Sequence, residues 1–192
     1  MKEIVLIGGG GHCRSVIDVI EQEAKYKIAG ILEKPELSEI DILSYKVIGE
    51  DSDLLNLAKK YQYAFISMGQ IKTASIRKRI FLDLESIGFE IPYIVSPRAY
   101  VSRHSSLGKG SIVMHGATLN ANATVGENCI INSKALIEHD SVVQSHCHIS
   151  TNVVLNGSVE IGQESFIGSG AIIIEGVKVK PNSFIKAGSV IK

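Results

Sequence analysis

The sequence predicts a two-part chain, a small α/β unit with a parallel sheet followed by a parallel β-solenoid of about five coils. Two observations carry that expectation. From Val95 through Val101, Leu107 and Val113 to Ile185 and Ile191, every sixth residue is aliphatic, seventeen times in succession. If aliphatics took about one position in three, such a run would arise with odds on the order of 10⁻⁸. Neither a period of 2 nor one of 3.6 fits it, whereas six-residue repeats are the signature of a β-solenoid. The second observation lies at the other end. Ile4-Val5-Leu6-Ile7 is a short apolar strand that runs into four glycines, Gly8 to Gly11, and then a helical pattern.

Hexads imply a triangular coil of eighteen residues, three short strands joined by tight turns. The aliphatic residue points into the prism. Four positions later comes a small or β-branched residue (Ala99, Ser105, Ser111, Ala117, Cys129, Ser141, Cys147, Val153 and on to Ser189), where the chain turns and space is short. Successive coils pair at about 4.8 Å, so residues eighteen apart stack. Cys129 and Cys147 are such a pair and read as buried thiols filling a tight slot.

Before the hexads, Cys13, Val16, Ile17, Ile20 and Ala24 form one helical face, and Ile28 to Leu32 a second strand. Strand, glycine turn, helix, strand is a βαβ unit. Leu37 to Leu43 reads as an irregular turn and Tyr45 to Ile48 as a minor strand. Asp51 or Ser52 is placed to cap a helix running through Leu54, Leu55, Ala58 and Tyr61. Ala64 to Ser67 is a third core strand. Thr73 is placed to cap a further helix with Ile76, Ile80 and Ile87 inward and Gly88 as its stop. Pro92 and Pro97 bracket the junction, so the expected domains are residues 1–94 and 95–192.

Composition narrows the function. The 192 residues carry 20 Lys and Arg against 20 Asp and Glu, and this zero balance points to no nucleic-acid or anionic-membrane partner. Three cysteines make no disulfide framework, which favours a reducing cytoplasm. No signal peptide or membrane-length apolar run is legible.

The glycine loop between strand and helix is suited to a phosphate, because it exposes backbone N–H groups at a helix N-terminus. A dinucleotide fingerprint would need glycine where Cys13 stands, so an NAD enzyme is disfavoured. Glu33, ending the second strand, is placed to meet a ribose or sugar hydroxyl, and Gly69 to let a ligand approach the sheet edge. His12, at the start of the helix, is disfavoured as a cation and reads as a neutral hydrogen-bonding group. A turn that needs its glycines and binds nothing is the alternative.

Five of the six histidines lie in the hexads, none at an inward position. His139 differs from the others because Asp140 follows it and Gly157 lies one coil on. An orienting carboxylate makes histidine a good general base near neutral pH, and an exposed glycine N–H can serve a developing oxyanion. His148 falls half a coil round and so cannot share that face within one subunit. It could approach across an interface, which solenoid faces packed about a three-fold axis would create. His146 and His148 lack a stacked third ligand, so no metal is expected. Lys178, Lys180, Lys186 and Lys192 crowd the last coils, either against an acyl carrier's phosphates or simply in solvent.

The opening segment from Ile4 to His12, the unbroken hexads and the run from Asn132 to Asp140 together resemble the bacterial left-handed β-helix sugar acyltransferases with an N-terminal nucleotide-sugar-binding domain. The resemblance spans essentially the whole chain. It implies the left-handed coil, which crossover rules alone would not give. It also implies that His139 is the general base, strengthened by Asp140, and that the Gly157 N–H contacts the acetyl carbonyl. His148, Ser169 and Ala187 match positions lining the acetyl-CoA site, His148 from a neighbouring subunit of a homotrimer. Gly10, Gly11, His12, Glu33, Lys34 and Gly69 match positions that bind the nucleotide sugar. The chain ends at Lys192, where relatives often carry a short tail over the coenzyme.

The expected activity is direct N-acetylation, from acetyl-CoA, of the 4-amino group of a nucleotide-linked 4-amino-4,6-dideoxy sugar. Two alternatives stand beside it. One is O-acetylation of sialic acid or a related nonulosonic acid, and the other a non-enzymatic subunit that only senses nucleotide sugar.

Overall fold

The computed structural model describes residues 1–34 and 41–192. The irregular turn expected from Leu37 to Leu43 lies largely outside them. Contacts divide the chain into two compact units, Met1–Gly69 with Arg77–Pro92, and Gln70–Ile76 with Tyr93–Lys192. The short segment Gln70–Ile76 groups with the coils, which no residue count along the sequence could show.

The first unit runs β1 (Lys2–Ile7), α1 (Gly11–Glu23), β2 (Tyr26–Leu32), β3 (Val47–Gly49), α2 (Leu54–Leu57), β4 (Tyr63–Ile66) and, from Arg77 onward, α3 (Ser75–Ile87). Its sheet is parallel with order β3-β2-β1-β4. The chain leaves β1 toward β2 on one side and later returns to the other side as β4. The carboxyl end of β1 is therefore a topological switch point, where open α/β sheets bind ligands. Buried Val5, Ile7, Leu32, Ala64 and Ile66 pack with Ile80, Phe81 and Leu84 of α3.

Four local expectations are corrected. Ala24 is not on the apolar face of α1 but is its left-handed C-cap, with φ 55° and its N–H on the Ile20 carbonyl. The expected caps Asp51 and Ser52 give way to a reciprocal capping box between Glu50 and Asp53, and α2 is only one turn long. Ile76 is 53% exposed. In its place Arg77 turns inward, fully buried, and its guanidinium donates to the carbonyls of Ile66 (2.7 Å) and Met68 (2.8 Å), which would otherwise be open at the end of edge strand β4.

The second unit is a left-handed parallel β-helix. Its seventeen two-residue strands, from Ile94–Val95 to Val190–Ile191, build three parallel sheets of six, six and five strands. Leu136 pairs with Val154 and Ile137 with Leu155, an offset of eighteen, and the other sheets keep the same offset. The aliphatics from Val113 to Ile173 are buried, as are Ala117, Ala123, Cys129, Ala135, Cys147 and Val153 from the small-residue positions. Cys129 and Cys147 are free thiols on adjacent coils, and the mutual contact with burial pushes the Cys147 thiol far up.

The corner itself explains a second residue class. From position 110 to position 188, the third residue after each aliphatic has φ between 53° and 73°. Glycine holds it at 110, 116, 170, 176 and 188, and Asn or Asp at 122, 128, 140, 152 and 182. These are the types that adopt the left-handed region at least cost. Among the described residues, no helix is long and apolar enough to cross a membrane.

Two substitutions separate prism from corner. Ile149→Ala should cost about 2–5 kcal/mol through the cavity it leaves. Lys134→Gly, at an exposed corner with φ 60°, should stabilise by up to about 1 kcal/mol by relieving the left-handed strain. Urea unfolding midpoints of the two variants check both signs.

Candidate active site

His139 stands at a coil corner because Leu136–Ile137 closes one strand and Val142–Val143 opens the next. Backbone hydrogen bonds fix what lies above and below it. Asp140 N–H bonds the Ala121 carbonyl (3.3 Å), Ser158 N–H the His139 carbonyl (3.0 Å), and Gly176 N–H the Gly157 carbonyl (3.0 Å). Ala121, His139, Gly157 and Glu175 thus form one column along the corner, with Asn122, Asp140, Ser158 and Gly176 in the column beside it.

The His139 ring occupies the space beside Gly157. A Cβ built on Gly157 would sit 2.7 Å from Cε1 and 2.8 Å from Nε2 of the imidazole, closer than real contacts allow. Gly157 is needed for space, since its φ is not among the positive ones. Among the described residues, none accepts the Gly157 N–H.

His139 is half-exposed, and its Nδ1 meets Asp140 Oδ2 at 2.8 Å. The other Asp140 oxygen accepts from Asn122 Nδ2 at 2.7 Å. Glu138 closes the other side, with Oε2 accepting from Asn120 Nδ2 at 2.7 Å and from the His139 N–H at 3.3 Å. The hydrogen bond to Asp140, then the negative charges of Asp140, Glu138 and Glu175, raise the imidazole above its ordinary value. The donors Asn122 and His139 hold the Asp140 carboxyl below its own. The arrangement is a half-open imidazole with an anchored Nδ1, an available Nε2 and a backbone donor one coil above. It can take a proton and steady an oxyanion.

The other histidine is differently employed. His148 points away from the prism as expected, yet it is only 6% exposed, because Gln70 covers it. Its Nδ1 meets the Gln70 carbonyl at 2.5 Å, its Nε2 lies 3.2 Å from Asn132 Nδ2, and Phe166 packs edge-on against the ring at 5.2 Å. Gln70 in turn donates to the His146 carbonyl (2.8 Å). Ser169 and Ala187 are exposed and stacked at another corner, joined by Gly188 N–H to the Ser169 carbonyl (2.9 Å). Within one chain these three residues do not meet His139 and Gly157. Among the described residues, no three His, Cys, Asp or Glu side chains gather as metal ligands.

In the first unit, Gly10, Gly11, His12, Glu33 and Gly69 gather at the carboxyl ends of β1, β2 and β4, with Lys34 next in the chain. Gly10 caps α1 with no side chain, and a Cβ on Gly10 or Gly11 would meet nothing within 4 Å. The first turn of α1 carries no acidic residue, so its N-terminus is open to an anion. Gly8 has φ 98° and sits against Met68, while Gly69 leaves His12 Cβ 3.6 Å from where a side chain would start. The Glu33 carboxylate is folded back onto the loop, accepting from Gly9 N–H (2.5 Å) and its neighbour Lys34 N–H (2.9 Å).

Residues 3–84 match the family profile described as the PglD N-terminal domain, and residues 158–192 the bacterial transferase hexapeptide repeat. No curated protein is matched by the sequence. Among solved structures, a histidine-to-asparagine variant of perosamine N-acetyltransferase from Caulobacter crescentus, in complex with CoA and GDP-perosamine, superposes with TM-score 0.94 at 29% identity. All of this chain and 89% of that one are covered. The acetyltransferase domain of PglB from Neisseria gonorrhoeae FA1090 gives TM-score 0.92 at 28% identity, covering 100% of this chain and 92% of that domain. The same domain in complex with acetyl coenzyme A gives 0.90 at 27%, covering 99% and 92%. The chain is an acyltransferase whose residues 3–84 resemble a PglD-type N-terminal domain and whose residues 158–192 resemble the hexapeptide repeat of bacterial transferases.

In this acyltransferase the sequence reading missed the supports of the histidine. Asn120 and Asn122 lie one coil before Glu138 and Asp140, and the same eighteen-residue count that linked His139 to Gly157 would have found them. The covering role of Gln70 had no such signal.

Because Asp140 is the main cause of the raised imidazole value, Asp140→Asn should move the His139 titration down, toward or below the ordinary 6.5. Histidine NMR against pH reads this directly.

Proposed function

We propose that the chain transfers an acetyl group from acetyl-CoA to the 4-amino group of a nucleotide-linked 4-amino-4,6-dideoxy sugar. The observation that carries this reading is the His139–Asp140 pair lying against the bare Gly157 backbone. It stands in a chain that matches, over its full length, a perosamine N-acetyltransferase bound to CoA and GDP-perosamine.

The residues divide the work. Asp140 accepts the Nδ1 proton of His139, which leaves the Nε2 lone pair facing outward as a base. As the sugar amine attacks the thioester carbonyl, the new N–C bond forms and the C–S bond breaks. His139 takes the amine proton and returns it to the leaving thiolate. The Gly157 N–H is the donor available to the carbonyl oxygen as charge develops there. No covalent acyl-enzyme is needed. Cys129 and Cys147 are sealed in the prism, and Cys13 is buried on α1 with its thiol pushed up by desolvation.

The open N-terminus of α1 at Gly10, Gly11 and His12 suits the diphosphate of the nucleotide sugar. Lys34 adds a cation beside it, and Gly69 leaves room. Glu33 would have to leave Gly9 before meeting a sugar or ribose hydroxyl. Ser169 and Ala187, both exposed, are assigned to the CoA site of a neighbouring copy, and His148 would join them only once Gln70 leaves its ring. Their separation from His139 within one chain is what favours a homotrimer with sites between subunits.

A thiol-release assay with acetyl-CoA and a panel of UDP-, GDP- and CMP-linked amino and hydroxy sugars tests the activity. Release with an amino sugar is the expected result, and release only with hydroxy sugars or a nonulosonic acid would replace the acceptor. His139→Ala should abolish turnover. Gly157→Ala should lower kcat by about 10²-fold, since its methyl group must displace the imidazole by about an ångström, while Tm stays within a few degrees.

A further inference from the structure

We infer that Asn122 is a positioning residue for catalysis, the donor that locks Asp140 in the orientation that holds the His139 ring and its Nδ1–H tautomer. The inference rests on the reading of His139 as the base. Its own observations are geometric. Asn122 Nδ2 to Asp140 Oδ1 is 2.7 Å and Asp140 Oδ2 to His139 Nδ1 is 2.8 Å, so one carboxylate is gripped at both oxygens.

The placement follows from the coil. Asn122 and Asp140 are eighteen apart and occupy the same corner position, with φ 61° and 60°. Equal backbone conformations one coil apart leave the two side chains parallel and within hydrogen-bond reach. A carboxylate on a half-exposed corner has two rotatable bonds and solvent on several sides. Held by His139 alone, it could turn and offer either oxygen, or none. The second hydrogen bond, made to a coil whose backbone is itself laddered, removes that freedom. Because Asn122 donates, the contact also favours the ionised carboxylate, in agreement with the lowered Asp140 value. The other charges facing His139 are Glu138, itself held by Asn120, and Glu175. Neither meets Nδ1, so neither can replace the Asp140 contact.

The corner conformation supplies a clean test. Glycine and aspartate both tolerate the left-handed backbone at this position, so Asn122→Gly and Asn122→Asp remove the donor without straining the coil. If Asn122 positions Asp140, the Gly variant loses about 10-fold in kcat with KM for both substrates within about twofold. The Asp variant loses more, because it sets a carboxylate against a carboxylate. The ¹⁵N shifts of neutral His139 should move in both variants from the Nδ1–H form toward the Nε2–H form that free imidazole side chains favour in water. Unchanged kcat and unchanged shifts in Asn122→Gly would overturn the inference. The reading of the base fails separately, if His139→Ala retains turnover, and the tautomer measurement still decides the role of Asn122 in that case.

Discussion

Everything at the candidate site depends on backbone hydrogen bonding between coils. The ladder fixes neighbouring coils at one inter-strand spacing with an offset of eighteen residues, and no side chain can change it without breaking the prism. His139 and Gly157 belong to different coils, yet their relation is as rigid as that of two residues on one strand. The same ladder carries Asn122 to Asp140 and Asn120 to Glu138. A side chain on a turn would ordinarily be loose, but this turn is stacked on both sides. Pre-organisation here is a by-product of a structural repeat.

The corner conformation adds a chemical restriction. Its left-handed residue must be Gly, Asn, Asp or a residue that bears the strain. Asp140 meets that demand and supplies the carboxylate that meets His139 Nδ1, so one residue closes the turn and orients the imidazole. Gly157 likewise answers two needs, clearance for the ring and a backbone donor. The electrostatics follow from this crowding, with three acidic side chains around a half-exposed imidazole.

The hexads made the β-helix legible to the last coil, because an inward aliphatic at every sixth place has no competing explanation. They also carried the stacking of Cys129 on Cys147 and of His139 on Gly157. What they could not carry was anything contributed from outside the repeat. Gln70 covers His148 from a segment far away in sequence, so an outward histidine became a buried one bonded through both ring nitrogens. In the α/β unit the strands were readable from apolar runs. Arg77 took the inward place expected of Ile76, because helical periodicity cannot foresee two strand-end carbonyls that require a donor. Glu33 was legible by position but not by posture, since its bond to Gly9 depends on how the loop closes.

The account rests on the identity between the group that Asp140 raises and the group that accepts the proton. The most direct measurement compares the acid limb of the kcat/KM profile in wild type and Asp140→Asn with the His139 titration in the same two proteins. The acceptor amine's own ionisation is common to both profiles and cancels in the difference. The account predicts that the limb and the imidazole move to lower pH together, by the same interval. A limb that stays in place while the imidazole moves would contradict it.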